Sequence, residues 1–203
     1  MYKRQPEQCL QGLRKTCDEK GILLILDEVQ CGFGRTGKLF AHEWSEIEPD
    51  IMMVAKGIGG GFPLGAVMAK ETAAIGMTAG THGSTYGGNP LGCAVGLKVM
   101  DIISNPNFLN DVNRKAKRFY NGLQELLKTN TSVFEEVRGK GLMIGLKCKV
   151  QNTDFVNACY ANNLLTVPAG DNVVRLLPPL TVSDTEIDVA LEKLESAMTI
   201  FSK

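Results

Sequence analysis

A chain of 203 residues, 44% of them hydrophobic, can form one large domain or two small ones and can bury a real core. Its 22 basic and 22 acidic side chains cancel, so no net field draws nucleic acid or an anionic membrane surface, and neither is expected as a partner. Six cysteines without a C-x-x-C pair, and only two histidines, argue for reduced thiols and against a metal site. No apolar run approaches the roughly 20 residues of a membrane helix, and residues 1–6 lack the apolar core of a signal peptide, so a cytoplasmic location is expected.

In chain order, Leu10, Leu13 and Cys17 recur at helical spacing, which predicts a helix over residues 6–19 stopped at Gly21. The apolar run Ile22-Leu23-Leu24-Ile25-Leu26 then ends in Asp27-Glu28 and reads as a strand of a parallel sheet, buried on both faces. Its polar residues sit at the carboxyl end, where open α/β sheets bind ligands. A glycine-rich loop over residues 31–38 leads to a second strand at 51–55, which ends in Lys56 and the glycine cluster 57–61. A third strand at 66–69, counted as parallel, precedes the polar loop 81–90 and a helix over 91–103.

Past Asn105-Pro106 the pattern changes. A long amphipathic helix (109–128) leads to an antiparallel pair at 133–137 and 142–146, turning at Gly139-Lys140-Gly141. A helix at 154–162, a strand at 173–177 and a closing helix from Asp184 complete an α+β unit. The expected organisation is residues 1–104 as part of a large α/β domain and 105–203 as a small α+β domain. About three strands is few for such a sheet, whose usual number is about five or six, and this suggests a truncated chain.

Two charged residues at strand ends carry the chemistry. A carboxylate at the end of a buried strand, Asp27, is costly without a positive partner, and a protonated pyridinium nitrogen would serve. An amine among apolar and glycine neighbours, Lys56, has its charged form disfavoured by desolvation, which suits carbonyl condensation. Together they meet two requirements of pyridoxal chemistry, a lysine for the Schiff base and an acid on the ring nitrogen. Thr85, among glycines, can donate its hydroxyl to the third, an anion site for the cofactor phosphate. Taken singly, Lys56 also reads as an exposed strand-end lysine and Asp27 as a turn or cap residue. His82 reads as a loop hydrogen-bonding residue and Cys31 as a small buried filler.

A rival reading is a nucleotide hydrolase, because Gly32-Phe33-Gly34-Arg35-Thr36-Gly37-Lys38 satisfies G-x-x-x-x-G-K. The next residue is Leu39, so no hydroxyl follows for Mg²⁺, and the loop comes after the Asp-Glu strand instead of opening the fold.

The segments Leu23-Leu24-Ile25-Leu26-Asp27-Glu28-Val29-Gln30, Asp50-Ile51-Met52-Met53-Val54-Ala55-Lys56-Gly57 and Gly83-Ser84-Thr85-Tyr86-Gly87-Gly88-Asn89-Pro90 resemble, in this order, the signature of class III aminotransferases. The resemblance runs from about residue 8 to the C-terminus. Within the class it is most similar to the acetylornithine aminotransferase subfamily, with the ornithine, succinylornithine and 4-aminobutyrate subfamilies sharing much of the pattern. It implies a fold-type I large domain, here only its C-terminal portion, followed by a small α+β domain. It also implies pyridoxal 5′-phosphate as cofactor, an amino donor and 2-oxoglutarate as substrates, a place in arginine biosynthesis and a homodimer.

By position, the resemblance implies Lys56 as the Schiff-base lysine, Asp27 on the pyridine nitrogen, Val29 on the ring face and Gln30 near the ring hydroxyl. Thr85 would bind the phosphate of the neighbouring subunit's cofactor, Ser84 would lie close to substrate, and Arg175 near the substrate carboxylate. Residues 1–5 do not match the family pattern. Family members are about twice as long, so the chain is expected to be a C-terminal half, inactive and prone to associate on its own. A non-catalytic fragment that binds a partner subunit is the alternative from another class.

Overall fold

The computed structural model describes residues 7–201. They fall into two compact units, one ending at Leu109 and the other beginning at Asn110. Among the described residues no helix is long and apolar enough to cross a membrane, and no cluster of side chains could hold a metal ion.

The first unit opens with α1 (Glu7–Lys20), followed by Gly21 in the left-handed region at φ 63°. The Pro6 start expected for this helix lies outside the described residues. Strand β1 (Ile25–Asp27) pairs in parallel with β2 (Ile51–Val54), in the register Ile25 to Ile51 and Asp27 to Met53. Strand β3 (Ala66–Ala69) completes the order β1-β2-β3, but it runs antiparallel to β2 and not parallel as expected. The eleven residues between Val54 and Ala66 turn back at once, with no room for the helical crossover a parallel partner requires.

The expectation of a first strand buried on both faces also fails within this chain. The regular strand is three residues long, and Ile22, Leu23 and Ile25 are each more than half exposed, because no described element covers them. The amino end of the β1–β2 pair is held by Asp50, whose Oδ2 accepts the Leu24 N–H at 2.7 Å and Arg14 Nη1 at 2.8 Å. A short helix α2 (Glu71–Ala74) precedes the polar loop, and α3 (Pro90–Ile103) follows it. Asn89 caps α3 by accepting the Gly92 N–H at 2.8 Å, and Pro90 supplies a first turn that needs no donor.

The long helix α4 (Pro106–Thr129) leads into the second unit, an antiparallel sheet of order β4-β5-β7-β6 with helices. Its strands are β4 (Phe134–Lys140), β5 (Met143–Cys148), β6 (Val167–Ala169) and β7 (Val173–Leu176). Helices α5 (Asn152–Ala161) and α6 (Asp184–Met198) complete it. The hairpin register pairs Lys140 with Met143, which puts the turn at Gly141-Leu142, one residue beyond the expected centre.

Strand β5 alternates strictly, burying Ile144, Leu146 and Cys148 on one face. Phe155 from α5 is fully buried and meets Phe134 edge-on at 4.8 Å between ring centres. On the outer side Arg114 and Arg118 of α4 pair with Asp184 and Asp188 of α6. Ser183 caps α6 reciprocally with Glu186. Strand β6, a short edge strand containing Pro168, was not expected from the sequence.

Candidate active site

Because β1 and β2 are parallel, their carboxyl ends lie side by side, and the pairing continues one residue further through the Glu28 N–H donated to the Met53 carbonyl at 2.9 Å. Asp27 closes β1, and Lys56 stands two residues past β2, so both are delivered to the same edge of the sheet. Lys56 opens a 3₁₀ turn (Lys56–Gly59) at φ 50°. A left-handed backbone at a residue with a Cβ costs about 1–2 kcal/mol, and such strain gathers at functional positions.

The turn is held from two sides. An added Cβ at Gly60, itself at φ 54°, would lie 2.9 Å from Val99 of α3. An added Cβ at Gly57 would lie 2.8 Å from the Cβ of Phe33. Close approach of backbone to neighbouring side chains is what requires glycine at these two positions.

Two expectations about environment are corrected. Asp27 is exposed, and its Oδ1 accepts the Val29 N–H at 2.9 Å in a tight side-chain turn. Lys56 is also exposed, so the described residues do not desolvate its amine. The buried carboxylate is that of Glu28, 3% exposed, and it was missed. Neighbouring residues on an extended backbone point to opposite sides, and the 28–45 segment folds back over the Glu28 side only.

Glu28 Oε1 accepts the His42 N–H at 2.8 Å and lies 3.0 Å from His42 Nδ1, while Oε2 accepts the Ala41 N–H at 2.9 Å and the Cys31 thiol at 3.3 Å. Burial alone would raise the Glu28 carboxyl, but these hydrogen bonds, led by that of His42, hold it below its ordinary value. The same burial, with Glu28 beside it, pushes the Cys31 thiol up to about 12, which suits a packing role and not a nucleophile. Its place directly after Asp27 marks Glu28 as a strand-end carboxylate in the sequence, but not which of the two is buried.

Val29 and Gln30 continue the Asp27 turn and are half-buried. In the polar loop Ser84 Oγ accepts the Gly87 N–H at 2.9 Å, and Thr85 beside it is exposed, as is His82. This loop runs directly into α3, the helix that backs the Lys56 turn. Arg175 belongs to the second unit, on β7, in register with Gly145 on one side and Val167 on the other.

The glycine-rich segment that mimics a phosphate loop is committed elsewhere. Lys38 donates to the Glu43 carbonyl at 2.9 Å and lies 4.8 Å over the Trp44 ring, and the segment ends in a 3₁₀ turn (Ala41–Ser45) instead of a long helix.

Residues 2–198 match the family model described as aminotransferase class-III, so residues 2–5 fall inside the match, contrary to the expectation that residues 1–5 lie outside the family pattern. An acetylornithine aminotransferase of Rhodobacter capsulatus is 60% identical over 192 residues, which are 95% of this chain and 49% of that protein. One from Mesorhizobium japonicum is 58% identical over 191 residues, 94% of this chain and 48% of that protein. The chain thus spans about half the length of the curated relatives it matches.

Among solved structures, the N-acetylornithine aminotransferase of Stenotrophomonas maltophilia K279a superposes with a TM-score of 0.86 at 35% identity, covering 96% of this chain and 52% of that one. The ornithine aminotransferase of Toxoplasma gondii ME49 gives 0.90 at 31% identity, covering 98% and 48%. The mixed α/β architecture is therefore that of the fold-type I aminotransferases. With its lysine and aspartate at adjacent parallel strand ends and a family match across nearly its whole length, the chain belongs to the class III aminotransferases, a family of pyridoxal-phosphate-dependent transferases.

Proposed function

We propose that the chain is the carboxyl-terminal portion of an enzyme that transfers the amino group of N-acetylornithine to 2-oxoglutarate, giving N-acetylglutamate semialdehyde and glutamate in arginine biosynthesis. The observation that carries this reading is the convergence of Lys56 and Asp27 at the carboxyl ends of β1 and β2. The 60% identity to the Rhodobacter capsulatus protein narrows the donor. Residues 1–104 then form part of the cofactor-binding domain and 105–203 the small domain, in a cytoplasmic homodimer.

The residues fit pyridoxal phosphate: an exposed primary amine and an exposed carboxylate share one sheet edge, with a hydroxyl-bearing glycine loop leading into the helix behind them. Lys56 would hold the cofactor's aldehyde carbon, and Asp27 would accept the hydrogen of its ring nitrogen. Val29 would lie on the ring face and Gln30 near the ring hydroxyl. Thr85 would donate to the phosphate of the neighbouring subunit's cofactor.

When bound, the cofactor supplies an electron sink for the pair left behind when a substrate C–H bond breaks. The Lys56 Nζ, as a free amine, would take the proton from the amino-bearing carbon of the substrate, acting first as base and then as acid. Asp27, at the carboxyl end of β1, would keep the hydrogen on the cofactor's ring nitrogen. Ser84 and Arg175 would orient the substrate, Arg175 through its carboxylate.

The test has two parts. Borohydride reduction of the purified chain with pyridoxal phosphate, followed by peptide mapping, should place the adduct on Lys56 and lose it in Lys56→Ala; an adduct spread over surface lysines would overturn the assignment. Grafting residues 7–201 in place of the matching half of the Rhodobacter capsulatus protein should then give N-acetylornithine turnover. Preference of the graft for ornithine would favour the second reading, suggested by the ornithine aminotransferases among the structural neighbours.

A further inference from the structure

We infer that Glu28 is a positioning residue that ties the Asp27 turn to the Lys56 turn, through the chain of contacts Glu28, His42, Phe40, Phe33 and Gly57. Peptide continuity fixes one end, because Glu28 follows Asp27 and its N–H completes the β1–β2 ladder at Met53. Its carboxylate, 3% exposed, gathers the two leading N–H groups of the 41–45 turn, the His42 ring and the Cys31 thiol.

From there the contacts are aromatic. The His42 ring stacks on Phe40 at 5.8 Å and 12° between planes, and Phe40 meets Phe33 edge-on at 5.8 Å and 89°. Phe33, 2% exposed and held at φ 51°, lies against Gly57, the residue after Lys56. Displacing the 41–45 turn therefore moves the wall that backs Lys56. Glu28 acts through these neighbours and touches no reacting atom. The inference deepens the aminotransferase reading and rests on it for the meaning of the Lys56 position, while the coupling itself is a property of the folded chain.

In Glu28→Gln one oxygen can still accept, but the amide NH₂ faces N–H donors, so either Ala41 or His42 loses its acceptor. Amide hydrogen exchange by mass spectrometry on the full chain reads the consequence without any cofactor. Ile58, Gly60 and Phe62, whose amides bond back within the Lys56 turn, should exchange about tenfold faster in the variant.

Phe40→Leu breaks both ring contacts and leaves the Glu28 hydrogen bonds intact, so it should speed the same amides and stands in if Glu28→Gln fails to fold. The control, Asp50→Asn, weakens the same two strands at their opposite end and should leave these amides unchanged. Borohydride capture of pyridoxal phosphate at Lys56 should fall about tenfold in Glu28→Gln, recover partly in Glu28→Asp and be unaffected in Asp50→Asn. Unchanged exchange in both Glu28→Gln and Phe40→Leu, or equal acceleration in Asp50→Asn, overturns the inference. Wild-type chain that never labels at Lys56 sinks the cofactor reading instead and leaves the exchange result to decide the coupling.

Discussion

Gly57→Ala offers a sharp test of how tightly the Lys56 turn is built. Nonbonded carbons rest at roughly 3.5–4.0 Å, whereas the new Cβ would lie 2.8 Å from the Cβ of Phe33, so one of the two must move by about an ångström. Phe33 cannot yield easily, being 2% exposed and already in the left-handed region. Gly57 itself lies outside that region, so the penalty is steric and not torsional. Overpacking of this kind costs about 1–3 kcal/mol, a large share of the roughly 5–15 kcal/mol that holds a domain together.

Urea unfolding followed through the first unit should therefore show a lower midpoint with an unchanged slope, and capture of pyridoxal phosphate at Lys56 should drop in parallel. Gly12→Ala is the matched control. It lies inside α1 with nothing within 4 Å of its new Cβ, and should stabilise by about 0.5–1 kcal/mol. A Gly57→Ala chain that unfolds like wild type and labels Lys56 as efficiently would refute the packing argument.

Other outcomes follow from the same reasoning. The Glu28 carboxyl lies below its ordinary value of 4.5 in the folded chain, so its contribution is complete above that value and is lost as pH falls through the lower folded value. Urea midpoints measured from pH 6 to 3 should accordingly fall less steeply in Glu28→Gln. In the second unit Phe155→Ala removes a fully buried ring packed on Phe134, and denaturation should register a loss of about 3–5 kcal/mol. Burial pushes the Cys148 and Cys159 thiols up to about 12 and about 11, so at pH 8 a thiol reagent should modify exposed Cys93 well before either.

What the sequence by itself determined is local or periodic. Helices α3, α4 and α6 stand within a few residues of where the sequence puts them, because an amphipathic period is read from neighbours a turn apart. The antiparallel β4–β5 pair was equally plain, and so was the placing of Asp27 and Lys56 at strand ends. Tertiary structure decided the rest. Pro168 and a length of three residues hide β6 until β7 offers it a partner.

The antiparallel sense of β3 depends on how the connection after Lys56 folds back, which no periodicity records. Which of two adjacent carboxylates is buried was likewise invisible. Asp27 and Glu28 differ by one step of an extended backbone, and only the return of the 41–45 turn, donating two N–H groups to one side of the strand, makes Glu28 the interior charge and leaves Asp27 open to a ligand.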